Sequence, residues 1–122
     1  MSGYILFLPA GDTKIQIKDF ENIEKYIGSE QKETDVYGLG EKIAMLTGTE
    51  KGIENWIATC LSTSCYVDCK HIEGNAIICK KQRGKITGFE GNEILRRRKE
   101  VYEVLETFLD YQSWKKSGRK YK

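Results

Sequence analysis

Only one stretch of this chain, Asn92 to Trp114, carries apolar side chains at helical spacing over several turns. At about 100° per residue, Ile94, Leu95, Val101, Tyr102, Leu105, Phe108 and Leu109 fall on one stripe, with Asn92 as the expected N-cap. Everything before it is broken into apolar runs of strand length or of one short helix, punctuated by glycine. A helix with one apolar stripe must bury it, and short strands must do the same. The expected fold is therefore α+β: a single mostly antiparallel sheet of about five to seven strands, with short helices and a long C-terminal helix packed on one face.

Taken in order, Tyr4–Leu8 is an apolar run of strand length, and the cluster Pro9-Ala10-Gly11-Asp12 is a turn. Ile15 and Ile17 alternate with polar residues, which completes an N-terminal hairpin. Asp19 is placed to cap a short helix carrying Phe20, Ile23, Tyr26 and Ile27 and ended by Gly28. Residues 29–34 are a polar connection. Residues 36–46 read as two strands around Gly40-Glu41, or as a helical turn and a half from Glu41. Ile53, Trp56, Ile57, Cys60 and Leu61 share one face of a helix that fails near Ser62. A meander follows, with strands at 65–72, 76–80 and 85–89 and turns at Glu73-Gly74-Asn75 and Arg83-Gly84. Residues 1–114 read as a single α+β domain and residues 115–122 as a basic tail.

With 122 residues, 39% of them hydrophobic and 31% charged, one globular domain needs neither disulfide nor metal to be stable. No apolar run approaches the roughly eighteen residues of a membrane span, and the start lacks the pattern of a signal peptide. No membrane partner is expected. The expected location is cytoplasmic, that of the host cell if the protein is viral. In a reducing compartment, four cysteines are more often small buried hydrophobes than bridges.

Cys60, Cys65, Cys69, His71 and Cys79 follow the spacing C-x4-C-x3-C-x-H-x7-C. Cys69, His71 and Cys79 come nearest to a metal set, yet strand geometry opposes it. Cys65 and Cys69 on one strand lie about 13 Å apart. A two-residue Gly74-Asn75 loop would set Cys79 opposite Lys70, on the other face from His71. No metal and no cofactor are expected. Catalysis fares no better. His71 is the only histidine, Ser62, Thr63 and Ser64 form no nucleophile elbow, and Gly38-x-Gly40 and Gly48-x-x-x-Gly52 lack the rest of a phosphate loop. The chain reads as a non-enzyme.

Charge says more. Residues 1–60 hold six Lys/Arg against ten Asp/Glu, a balance of −4. Residues 61–122 hold fourteen against eight, a balance of +6, and the two halves give the net +2. The basic residues cluster as Lys80, Lys81, Arg83 and Lys85, then Arg96, Arg97, Arg98 and Lys99, then Lys115, Lys116, Arg119 and Lys120 beside Trp114. Arginine forks beside aromatic rings suit a polyanion, which makes these residues the candidate nucleic-acid or anion-binding set. The bland reading is a solvated face laced by i,i+4 ion pairs such as Glu93–Arg97. Arg98 falls inside the apolar stripe and must snorkel or pair. Four cations near a helix start would oppose its dipole.

The pieces ILFLPAGDTKIQI with the following short helix and Gly28, NWIATCL, and IEGNAIICKKQRGKITGF lie within residues 4–90. In these pieces the chain resembles a family of small phage- and virus-encoded domains without a known function. The resemblance implies a phage or virus origin and a non-enzymatic accessory role, and it transfers no functional residue. The expected function is that of a small binding protein, an accessory or anti-defence factor engaging nucleic acid or a host nucleoprotein complex through the basic C-terminal helix and tail. The alternatives are an inhibitor that docks its acidic N-terminal half on a host defence complex, and a sponge for a nucleotide signal. The sequence leaves the oligomeric state open.

Overall fold

Ala76–Gln82 (β5) is the strand the sheet is built around. A computed structural model describes residues 3–12, 14–36, 39, 42–48, 52–62 and 72–106. The described sheet has six strands, which besides β5 are Tyr4–Leu8 (β1), Gln16–Asp19 (β2), Lys32–Asp35 (β3), Ile43–Thr47 (β4) and Lys85–Thr87 (β6). The order is β2-β1-β5-β4-β3, with β6 also on β5, and every neighbouring pair is antiparallel. The helices are Ile23–Ile27 (α1), Trp56–Leu61 (α2) and Gly91–Leu105 (α3). The class is α+β, as the sequence implies.

The run Ala76-Ile77-Ile78-Cys79 has no polar alternation because both of its faces are covered. Ile78 pairs with Leu6 and Met45 on the face that carries α2 and α3. Ile77 pairs with Phe7 and Leu46 on the other face, where Ile27, Ile23 and Tyr26 of α1 pack. The helices thus divide, α2 and α3 on one side and α1 on the other, whereas the sequence reading gathered them on one face. The period of α1 shows an apolar stripe but not which side of a sheet receives it.

The N-terminal hairpin forms as its alternation requires, Leu6 opposite Ile17 and Phe7 opposite Gln16. Residues 36–46 are not helical where described. β4 begins at Ile43, but the strand opposite it, Lys32–Asp35, overlaps residues 29–34, the stretch read as a polar connection, and ends one residue beyond it. Its residues Lys-Glu-Thr-Asp carry no apolar signal because β3 is the outermost strand of that edge, where charge is tolerated and guards against edge pairing.

The expected meander is corrected in one respect. Residues 76–78 of β5 are paired on one side with β1 and on the other with β4, so no edge is left there for a hairpin with residues 65–72. Cys79 sits opposite Ala44. Residues 63–71 lie outside the described residues. The second turn is as read: Gln82 and Lys85 flank Arg83-Gly84, whose φ values of 51° and 78° are those of a mirror-image two-residue turn.

Asn55 joins the layers. Its Oδ1 accepts from the Ala58 amide at 3.1 Å as the N-cap of α2. Its Nδ2 donates to the carbonyls of Leu8 (2.8 Å) and Gly74 (2.9 Å). Ile53, read as part of the helical face, precedes α2 and is 67% exposed. Gly48 crosses α1 so closely that any Cβ would run into the Ile27 carbonyl.

Candidate nucleic-acid interface

α3 starts at Gly91 with Glu90 as its N-cap, one residue before the expected Asn92. Arg96 therefore begins no earlier than the second turn, where the helix dipole no longer opposes it, and the first turn holds Glu93 instead. Ile94, Val101 and Leu105 face the core and are buried. Phe108, Leu109 and Trp114, the expected continuation, lie outside the described residues. Tyr102 fixes the helix laterally, its Oη accepting from the Ile15 amide at 2.9 Å.

Four consecutive cations on a helix cannot share a face, because each step turns about 100°. Arg97 leans to one flank of the buried stripe. Its guanidinium binds Glu100 at 2.9 Å and Glu93 at 3.3 Å, and its Cζ lies 5.9 Å from the centre of the Phe89 ring. Arg98 takes the opposite flank, half-buried, and Lys99 is exposed. These two line a shallow apolar-floored hollow with Leu95 and Tyr102, bounded by Glu103 and Glu106.

Lys80 reaches the same cluster from the sheet. Its Nζ binds Glu93 at 2.9 Å and sits 6.0 Å from the Phe89 ring centre. Glu93 is the hub, since Arg96 also approaches it at 3.8 Å. Burial pushes the Glu93 carboxyl up, but the hydrogen bonds and charges of Lys80 and Arg97 outweigh burial and hold it below the usual carboxylate range. Lys81, one residue on along a strand, must point to the opposite face, where it pairs with Glu33. Arg83 occupies the turn and Lys85 opens β6, both exposed.

The structure thus brings together Lys80, Arg96 and Arg97 around Glu93, with Arg83 and Lys85 continuing the same hairpin. It sends Lys81 to the far side and Arg98 and Lys99 around the helix. Lys115, Lys116, Arg119 and Lys120, with Trp114, lie outside the described residues. The roles of Glu93 as a hub and Phe89 as its floor were not read from the sequence. The i,i+4 spacing of Glu93 and Arg97 was the available signal, but the contribution of Lys80 requires knowing which strand α3 crosses.

Of the metal candidates, Cys69 and His71 lie outside the described residues. Cys79 is buried in β5, where its thiol donates to the Ala44 carbonyl at 3.7 Å. Burial, aided by the charge of Glu33, pushes that thiol up to about 12, which is unsuited to a thiolate ligand or nucleophile. Among the described residues, no three His, Cys, Asp or Glu side chains converge as a metal site would need, and no helix is long and apolar enough to cross a membrane. No family model, curated protein or solved structure matches the chain.

Proposed function

We propose that this protein is a small non-enzymatic binding protein that engages nucleic acid, free or within a nucleoprotein, through the β5–β6 hairpin and α3. The observation that carries this reading is the Lys80–Glu93 ion pair at 2.9 Å, which fastens the start of α3 to the β5–β6 hairpin. Through it, two basic runs separated in sequence become neighbours. Residues 80–99 hold eight Lys/Arg against two Glu, a balance of +6, so the cluster around Glu93 leaves a large positive surplus. Arginine forks and exposed lysines on a rigid helix and hairpin suit the regularly spaced charges of a phosphate backbone. An accessory or anti-defence role is the setting we propose for such binding.

The test is binding to single- and double-stranded DNA and RNA across a salt series, by anisotropy. The wild type is expected to bind with an affinity that falls steeply with salt, because backbone contacts release counterions. Combined Arg83→Glu, Lys85→Glu and Arg96→Glu substitutions spare Lys80 and Arg97, whose ion pairs hold α3, and are expected to abolish binding while the protein stays folded. Affinity no tighter than about 100 μM at physiological salt, the weak edge of non-specific binding, would refute the proposal. Docking of the acidic half on a basic protein would then be the leading reading.

A further inference from the structure

We infer that the β5–β6 hairpin is a two-stranded ribbon that enters the major groove of B-form duplex DNA, with Arg83 at its tip as the reading residue. The inference rests on the proposed function and names the form of nucleic acid. β1 leaves β5 after Ile78, and the last link from the β4 side is the Lys81 amide donating to the Lys42 carbonyl at 2.7 Å. Past Lys81, no other described strand flanks residues 82–85, and Gln82, Arg83, Gly84 and Lys85 are all exposed. Residues 80–87 carry four cations and no acid. Lys80 and Lys81 are committed to Glu93 and Glu33, while no ion pair holds Arg83 or Lys85 among the described residues. The free charge of the hairpin is therefore concentrated at its tip.

The shape fits the same target. Two strands lie about 4.8 Å apart, and a ribbon of that width fits a major groove about 12 Å wide and 8.5 Å deep. The deep, narrow major groove of A-form RNA does not admit it. Gln82 and Arg83 are suited to adenine and guanine edges respectively. The turn is also informative. Both central positions have positive φ, which favours Asn-Gly, yet the first is Arg83 at φ 51°. A residue less suited to the turn stands where its guanidinium reaches furthest from the sheet, as is expected where function overrides local preference.

Arg83→Asn separates function from folding, because asparagine suits this turn better than arginine. We would measure the affinity of wild type, Arg83→Asn and Lys85→Gln for a B-form DNA duplex, the matching single strand and an RNA duplex, with the Tm of each protein. The expected result is preference for duplex DNA, a loss of about tenfold or more with Arg83→Asn, and a Tm equal to or above that of the wild type. Duplex affinity within twofold of wild type for both variants would overturn the inference and leave the proposed function standing. Equal or tighter binding of single strands or RNA duplex would do the same. Absence of binding to any nucleic acid would overturn both.

Discussion

Glu93→Gln separates the two roles that charge plays around α3. Glu93 lies within 2.9 Å of Lys80, 3.3 Å of Arg97 and 3.8 Å of Arg96, and its side chain is 17% exposed. Arg97 keeps Glu100 when Glu93 is neutralised, whereas Lys80, itself 18% exposed, loses its one ion-pair partner among the described residues. Breaking an exposed pair costs about 0.2–1 kcal/mol and breaking a buried one about 3–5 kcal/mol. Loss of an acidic group from the first turn of a helix adds about 0.3–1 kcal/mol. A pair this far from solvent falls between the limits, so the substitution is expected to destabilise by about 2 kcal/mol at pH 7. The pH dependence has a definite sign. Glu93 is held below its ordinary value of 4.5 in the folded protein, so its stabilisation is fully present above that value and is lost as pH falls through the folded pKa. The gap between wild type and variant in urea unfolding should therefore shrink on acidification. Binding should move the other way, since removing a negative charge from the basic surface raises affinity for DNA while stability drops. A stability loss under about 0.5 kcal/mol, a gap that persists unchanged at low pH, or weaker DNA binding by a folded variant would each refute this account.

Leu105→Ala should cost about 2–5 kcal/mol in denaturant unfolding, since Leu105 is fully buried where α3 meets the sheet. A cost under half a kilocalorie would mean that α3 does not rest on this sheet. Asn55→Ala removes the α2 cap and leaves the Leu8 and Gly74 carbonyls without their donor; about 2–4 kcal/mol is expected, with Asn55→Asp recovering only the cap. Cys79 should resist alkylation in the native protein at pH 8 and react on unfolding, read by peptide mapping, because its buried thiol is pushed up to about 12.

The parts of the fold legible in the sequence are those whose signal is periodic and local. The alternation at Ile15 and Ile17, the stripe Ile94-Val101-Leu105 and the Arg83-Gly84 turn each state their own structure. What was not legible depends on which elements meet. The β5 run Ala76-Ile77-Ile78-Cys79 reads as a strand, but nothing in it says that β1 and β4 take its two edges, and the nearer segment 65–72 looked the simpler partner. Lys32–Asp35 is a strand only because β4 offers it an edge; its own side chains favour no structure. Asn55 shows the gap in miniature. Its place before an apolar run marks a helix cap, but its two donor bonds go to residues 47 and 19 positions away.

The same distinction governs the charges. A run of like residues in sequence is dispersed by geometry, two directions on a strand and a full circle on a helix. Lys80 and Lys81 therefore part to opposite faces, and Arg96 to Lys99 surround α3. The dispersal leaves two kinds of cation. Those over the sheet, Lys80 and Arg97, stand over the Phe89 ring and are held by Glu93 and Glu100, so they brace α3 against β5. Those beyond the sheet, Arg83 and Lys85, have no such acid among the described residues. Under the proposed function, the bracing cations fix the angle between hairpin and helix at which Arg83 and Lys85 are offered to a polyanion. Charge reversal at Arg83 and Lys85 should consequently abolish binding at nearly constant stability. Neutralising Lys80 should loosen α3 as Glu93→Gln does but weaken binding, because it removes a positive charge where that substitution removes a negative one.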